Sequence, residues 1–393
     1  MRILFLSPRQ CWPALSGAKL REYHLARALS RWAELTYVYF ADAGGPPLTA
    51  ADLRFDARVI GVPKPHVYGP WKLLQGIAGR WPLPVVNYTS PGMTEALSRL
   101  DFPFDLVHLD SIHMIRYVET MGSPRVIYNW HNIESEAMRR YAESTASPAR
   151  SVYARLTAGK WERLERQILQ DAFGHIVCSE RERRQLSGIA PSARIKVIEN
   201  GVDCANFASL NSGPDRRRIV FVGKMDYYPN IEAMIGFANT TWPLVREKRK
   251  DLTLTIVGAS PTAAVQALAD IPGIEVTGTV PDVRPYYRDA LAAVVPLRTG
   301  GGTRLKILEA MAARVPVVSS TLGAEGLEVT PGSDILISDP DDHAGWVRNL
   351  GELAQSGELR TRIAEKALKL VQTRYDWNTL GQSLIDTYKG WLG

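Results

Sequence analysis

Short apolar runs alternate with longer helical stretches along nearly the whole chain, and the same alternation is used twice. The first block has runs at 2–7, 35–40, 105–110, 125–130, 175–179 and 196–200, separated by helical stretches such as 18–31 and 148–171. The second has runs at 218–223, 252–258, 274–280, 292–297, 316–320 and 334–338. Continuously apolar runs of this length suit strands buried on both faces of a parallel sheet, with helices above and below. The expected fold class is therefore α/β, with two doubly wound, Rossmann-like parallel-sheet domains. A length of 393 residues and 45% hydrophobic content fit two ordinary cores. The polar, breaker-rich segment 211–215 is the natural linker between the blocks. In such sheets ligands bind beyond the carboxyl ends of the strands, so chemistry is sought in the residues just after each run.

The most specific of these places is Pro296-Leu-Arg-Thr-Gly-Gly-Gly-Thr-Arg-Leu-Lys-Ile-Leu-Glu309, which passes from a buried strand through three glycines into a helix. Gly300 to Gly302 let bare backbone approach a ligand, and Thr303 is the expected N-cap of a helix running to about Ala313. The first N–H groups of such a helix point at whatever precedes it. Arg304 and Lys306 fall in the expected first turn, where the macrodipole disfavours cations by roughly 0.3–1 kcal/mol each. A nucleoside diphosphate would offset that cost, and Glu309 one turn on could accept hydrogen bonds from ribose. The alternative is an ordinary helix start with a Lys306–Glu309 pair worth a few tenths of a kcal/mol.

This segment resembles the nucleotide-sugar motif of retaining glycosyltransferases with the GT-B fold, glycosyltransferase family 4. Other stretches match in order. Asn200-Gly-Val-Asp203 with Phe207 resembles the interdomain segment, and Phe221-Val-Gly-Lys-Met-Asp-Tyr-Tyr-Pro-Asn230 resembles the strand and loop opening the second domain. Thr321-Leu-Gly-Ala-Glu-Gly-Leu327 resembles the loop after the next strand, and Tyr375-Asp-Trp377 the start of the closing helix. The resemblance implies two domains facing across a cleft. Residues 1–205, completed by a helix at 376–393, form the acceptor side, and residues 206–375 bind the nucleotide sugar. It implies transfer, with retention, from a nucleoside-diphosphate sugar to a saccharide or lipid-linked acceptor in cell-envelope or exopolysaccharide assembly.

The resemblance also distributes roles. Lys224, after Gly223, stands where the family usually has an arginine on the leaving diphosphate; lysine supplies the charge without the bidentate fork. Arg304, Lys306 and the N–H groups around Gly302, Thr303 and Leu305 would meet the growing negative charge. Backbone near Val280 and Val283 would suit the base, and the Gly17–Ala18 helix start would approach donor and acceptor. His131, just after the run 125–130, would touch the transferred sugar, unless it only bonds its own loop. Asp110 could bind an acceptor hydroxyl or cap a helix beginning near Ile112. Two departures stand out: Asn230 replaces a second basic residue, and Gly301 replaces the first glutamate of the family's Glu-x7-Glu pattern. Arg298 is a further candidate for the missing positive charge.

Other classes are disfavoured. The chain has neither a G-x-G-x-x-G fingerprint nor a G-x-x-x-x-G-K-[ST] loop, which argues against a dinucleotide oxidoreductase and a P-loop NTPase. Asp339-Pro-Asp341 offers paired carboxylates, but its context reads as helix entry, so transfer is expected to need no metal and no cofactor. Cys11, Cys178 and Cys204 lack metal-ligand spacing, and with no signal-peptide pattern or long apolar span a cytoplasmic location is expected. Net charge is +6, and residues 1–200 carry 26 Lys+Arg against 19 Asp+Glu. Within that half, 71–81 and 139–166 mix cations with Trp, Tyr and Leu. They either form amphipathic helices packing on the core or a surface for anionic membrane. The cations are too diffuse for a nucleic-acid module. A nucleotide-sugar epimerase of similar shape and a catalytically idle nucleotide-binding scaffold are the rival functions.

Overall fold

The computed structural model describes residues 1–14, 16–42, 44, 48–65, 68–122, 125–145, 147–208, 216–300 and 304–393. The expected linker at 211–215 lies outside the described residues. Contacts divide the chain into two units, 1–199 with 381–393 and 200–380.

The first unit carries β1 (Arg2–Ser7), β2 (Glu34–Ala41), β3 (Arg58–Pro63), β4 (Leu106–Leu109), β5 (Val126–Asn129), β6 (Gly174–Val177) and β7 (Ile195–Val197). All neighbours pair in parallel, in the order β3-β2-β1-β4-β5-β6-β7. Sequence patterning finds six of these seven strands. It misses β3, a half-exposed edge strand whose Gly61 and Pro63 read as breakers, residues that strands tolerate at an edge. There Tyr39 of β2 fills the space a side chain at Gly61 would need. The helix Pro148–Asp171 buries Ala154, Ala158, Trp161, Leu164 and Ile168 at helical spacing, so one stripe of it belongs to the core. Residues 381–393 complete the unit. Tyr388 is fully buried and its hydroxyl lies 2.5 Å from His108 Nδ1, while Trp391 occupies the room left by Gly174.

The second unit carries β8 (Arg218–Val222), β9 (Thr253–Val257), β10 (Ile274–Gly278), β11 (Ala290–Val295), β12 (Val317–Ser319) and β13 (Leu336–Ile337). Their order is β10-β9-β8-β11-β12-β13, again parallel throughout. Every residue of β11 is buried, as its unbroken apolar run demands. The strand expected at 274–280 stops at Gly278, whose φ of +71° turns the chain out of the sheet. The one expected at 334–338 contracts to two residues.

Both sheets reverse their strand order beside the first strand, between β1 and β4 in one unit and between β8 and β11 in the other. The carboxyl ends of the strands at such a reversal are the usual ligand position in doubly wound sheets. The residues to inspect are therefore 8–16 and Asp110 in the first unit, and 223–227 and 296–304 in the second.

Candidate functional site

In the second unit β8 ends at Val222, and Gly223 and Lys224 follow at its carboxyl end. Gly223 N–H donates to Val257 O at 3.0 Å and Met225 N–H to Ala259 O at 2.8 Å, which carries the backbone pairing beyond β8 and β9. The approach is so close that a Cβ at Gly258 would lie 1.7 Å from Gly223 O. Asn230, 6% exposed near the start of the helix Tyr228–Gly236, donates from Nδ2 to Lys224 O at 2.8 Å. Its Oδ1 accepts from Lys306 Nζ at 2.7 Å. Lys306 thus crosses to the end of β8, with its ammonium 4.1 Å from the centroid of the Phe221 ring. A Cβ at Gly223 would meet Asn230 Nδ2 at 2.8 Å and Lys306 Nζ at 3.1 Å, so glycine is required for this convergence.

The ammonium of Lys306 is held by neutral groups, an amide oxygen and an aromatic face. Burial, with Arg304 adding to it and Glu309 opposing, pushes its pKa down to about 7. Glu309, on the same helix, is pushed up to about 7 by burial, against the Tyr287 hydroxyl that donates to its Oε2 at 3.4 Å and the charge of Lys306. The Lys306–Glu309 pair allowed by their spacing is not the arrangement adopted, because each finds its hydrogen-bond partner on another element. The helix is Leu305–Ala312 and its N-cap position is Arg304, with no side-chain cap. Arg304 therefore precedes the first turn instead of lying within it. Its Nη2 donates to Gly300 O at 3.0 Å and Leu322 O at 3.1 Å, tying together the loops that follow β11 and β12. Gly301, Gly302 and Thr303, the last of them the expected cap, lie outside the described residues.

The remaining candidates of this unit divide clearly. Lys224 points outward, its side chain 66% exposed and 2.9 Å from Asp226. Leu305 is the first residue of the helix, while Val280 and Val283 pack against the core in the loop after β10, Val283 at the cap of the short helix Arg284–Arg288. Arg298 is engaged with Asp341 at 2.5 Å, so it does not supply the unpaired positive charge the sequence suggested. Asp339 accepts from Thr321 N–H at 3.0 Å, and the following helix starts only at His343 under an Asp342 cap. The two aspartates of Asp339-Pro-Asp341 are thus used apart. Among the described residues no group of three or more His, Cys, Asp and Glu side chains is arranged to hold a metal ion.

In the first unit the helix Gly17–Ser30 begins under Ser16, whose hydroxyl accepts from Lys19 N–H at 3.4 Å, so Gly17 and Ala18 form its first turn. Asp110, at the end of β4, is completely buried. Asn129 Nδ2 donates to its Oδ1 at 2.7 Å, and His131 Nε2 lies 2.8 Å from its carbonyl oxygen and 3.1 Å from Oδ2. Burial alone would raise the Asp110 pKa, but the charge and hydrogen bond of His131, with His108 Nε2 nearby at 3.8 Å, outweigh it and hold the carboxyl well below its ordinary range. An ionised carboxylate and a carbonyl only accept, so His131 donates to them from Nε2, which leaves Nδ1 turned away from Asp110. Asp110 is therefore not placed to bind an acceptor hydroxyl. It is a positioning residue for His131, and the turn Ile112–Tyr117 is capped by Ser111 instead.

Behind this pair stands a support that no motif signals. Arg21, buried on the helix Gly17–Ser30, donates from Nε and Nη2 to Asn129 Oδ1 at 3.1 and 2.8 Å and from Nη1 to Ile198 O at 2.7 Å. Glu22 beside it accepts from the Tyr37 hydroxyl at 2.5 Å and lies 3.7 Å from Arg9. Burial and the nearby Asp110 push the Glu22 carboxyl well above its usual range. Sequence reasoning passes over Arg21, Asn129, Tyr287 and the clamping role of Asn230, since each works through a partner distant in the chain. The one available signal was Asn230 itself, as the polar residue substituted at a basic position.

Comparison with known proteins agrees with this geometry. A family model described as Glycosyltransferase Family 4 matches residues 16–206, and one described as Glycosyl transferases group 1 matches 216–356. A D-inositol 3-phosphate glycosyltransferase of Thermobispora bispora is 24% identical over 247 residues, covering 57% of this chain and 57% of that protein. An uncharacterized 44.6 kDa protein in the cps region of Klebsiella pneumoniae is 24% identical over 175 residues, 42% of this chain and 45% of that one. The chain spans about half the length of the curated relatives it matches. Among solved structures, sucrose-phosphate synthase from Thermosynechococcus elongatus superposes with a TM-score of 0.70 at 18% identity over 99% of both chains. Anabaena HepE, in complex with UDP and glucose, gives 0.65 at 15% identity, also over 99% of both. Two adjacent family models spanning most of the sequence, on two doubly wound sheets of the GT-B kind, establish that the chain belongs to the family 4 glycosyltransferases, of the group 1 type.

Proposed function

We propose that the protein is a retaining, metal-independent glycosyltransferase that moves a sugar from a nucleoside-diphosphate sugar, UDP-glucose being the first to test, to a saccharide or lipid-linked acceptor in cell-envelope or exopolysaccharide assembly. The observation that carries this reading is Lys306, a partly buried ammonium held by neutral groups at the carboxyl end of β8. A cation kept in such a place at a cost to its own protonation lowers the energy of an anion that arrives there. Solved relatives in the same fold carry UDP, UDP-glucose and UDP-2-fluoro glucose, which supports a uracil nucleotide as donor.

The residues then take the following parts. The glycosidic C–O bond breaks with its electron pair passing to the β-phosphate oxygen, and Lys306 and the first N–H groups of the helix Leu305–Ala312 stabilise the charge that grows there. Arg304 holds the two loops around that helix start and adds its positive field. Glu309 accepts from the ribose hydroxyls. His131 offers Nδ1, its orientation fixed by Asp110, to a substrate hydroxyl. No side chain of the site is assigned as a covalent nucleophile. The acceptor oxygen forms its bond on the face the phosphate leaves, through an oxocarbenium-like transition state, and its proton passes to the departing phosphate oxygen. Charge neutralisation by side chains and helix N–H groups gives a route that needs no divalent ion.

The test is thermal-shift and calorimetric binding of UDP, GDP, dTDP, ADP and CDP, each with and without EDTA, in the parent and in Lys306→Met and Glu309→Gln. One nucleotide binding equally with EDTA present, and weakened in both variants, is the expected result. An acceptor screen with the matching sugar nucleotide, read by the anomeric coupling of the product, then decides retention. Donor conversion to an epimer without acceptor would replace this reading with the epimerase, and nucleotide binding without turnover of any donor would replace it with the scaffold.

A further inference from the structure

The most conspicuous surface of the first unit is the helix Pro70–Ala78. Trp71, Leu74 and Ile77 recur every three residues on one face and are 68, 53 and 61% exposed. The opposite face is seated, since Gly76 is buried so closely on Leu83 that a Cβ there would lie 2.7 Å from the Leu83 Cβ. Single exposed apolar side chains are ordinary, but three in one stripe, with a tryptophan at its head, are not. A second helix extends the patch. Lys160 of the helix Pro148–Asp171 donates from Nζ to the carbonyls of Gly76, Ile77 and Gly79 at 2.8, 2.7 and 2.8 Å, satisfying the carbonyl end of the first helix. Val152 and Leu156, two turns and one turn before Lys160 on the same stripe, are 58 and 65% exposed.

The two helix stripes themselves carry no negative charge. No Asp or Glu occurs between Asp56 and Glu95, nor between Glu143 and Glu162, so neither helix stripe carries a carboxylate. Lys72 and Lys160 are spent on backbone carbonyls, but Arg80, Arg150 and Arg155 are exposed around the apolar stripe. An apolar centre with an aromatic head and exposed arginines beside it is complementary to the headgroup region of an anionic bilayer. Among the described residues no helix is long and apolar enough to cross a membrane, so such an encounter is with the surface.

We infer that the helices Pro70–Ala78 and Pro148–Asp171 form a membrane-docking face, which seats Trp71, Leu74, Ile77 and Leu156 among the headgroups of an anionic lipid surface with arginines at its border. The inference stands apart from the donor site, because none of these residues belongs to it. The test is flotation of the full chain with vesicles of phosphatidylcholine alone and of phosphatidylcholine mixed with phosphatidylglycerol. Binding is expected only to the anionic vesicles, with release at high salt. Trp71→Glu combined with Leu74→Glu should lower the bound fraction about tenfold or more, whereas Leu244→Glu, an exposed apolar position of the other unit, should leave it unchanged. Arg80→Glu with Arg155→Glu should move release to lower salt, and supplies the test should the apolar variant fail to fold. No flotation with anionic vesicles overturns the inference, as does binding indifferent to these variants. A self-associating parent made monomeric by Trp71→Glu, without vesicle binding, would assign the face to a second copy and equally overturn it.

Discussion

Lys306 titrates near neutrality, so donor affinity should depend on pH in a calculable way. Lowering its pKa from 10.5 to about 7 costs the protonated form about 5 kcal/mol in the empty site. A phosphate charge about 4 Å away returns roughly 4 kcal/mol at the effective dielectric of a protein surface, which restores most of that cost. The folded, donor-bound pKa therefore lies above the folded, empty one, and binding takes up a proton wherever the empty site has lost it. The sign follows: affinity is full below pH 7 and falls as pH rises through it. For one proton, going from about pH 7 to about pH 8.5 weakens binding roughly 15-fold. Glu309, with its raised pKa of about 7, ionises over the same range and makes a separate contribution, which the double variant removes. The assay is titration calorimetry with UDP-glucose, whose esterified phosphates do not titrate in this range, in buffers of different ionisation enthalpy. Lys306→Met should lose roughly 30- to several thousandfold in affinity below pH 7, and the double variant with Glu309→Gln should be flat with pH. A parent that binds UDP-glucose equally at both ends of the range without proton uptake, or a Lys306→Met variant within twofold of the parent, refutes the reasoning.

Four further outcomes are expected. Gly223→Ala should displace Asn230 and Lys306, costing about 1–3 kcal/mol in stability along with donor affinity. Gly258→Ala should be worse by thermal midpoint, because its Cβ meets the backbone oxygen of Gly223 at 1.7 Å instead of movable side chains. Asp110→Asn removes the negative charge beside His131 while leaving the carbonyl acceptor at 2.8 Å in place, so if that charge serves turnover kcat should fall on the order of a hundredfold while calorimetric donor affinity stays within twofold; equal kcat would assign the Asp110 carboxylate to packing. Arg21→Ala leaves the Asn129 oxygen and the Ile198 carbonyl without their buried donor and should cost about 3–5 kcal/mol, seen as an earlier melting of the first unit in calorimetry.

The sequence was most legible where one physical cause acts alone. Apolar runs long enough to be buried on both faces marked twelve of the thirteen strands among the described residues, and the helical stretch read at 148–171 is the helix Pro148–Asp171. The edge strand β3 was illegible because an edge lacks that burial. Within the site, position along the chain was readable but partnership was not. Lys306 and Glu309 look like an i,i+3 pair until the fold brings Asn230 and Tyr287 closer. Asp110 looks like a ligand until Asn129, supported by Arg21 from another helix, turns it inward. Arg304 looks like a first-turn cation until two loop carbonyls claim it. Each of these depends on a contact distant in sequence, which local spacing does not encode.

The return of residues 381–393 to the first unit has a consequence for synthesis on the ribosome. Tyr388, Trp391 and Gly381 fill positions against His108, Gly174 and Ala28 that nothing in 1–199 supplies. The first sheet can form its strand pairs as they emerge, yet it holds an open, apolar slot until the whole of 200–380 has been translated. The second unit, continuous in sequence, can reach its final packing earlier. The half of the molecule made first is thus the half completed last, and a released chain truncated at residue 380 would hold every element of the second unit beside a first unit whose slot stays open.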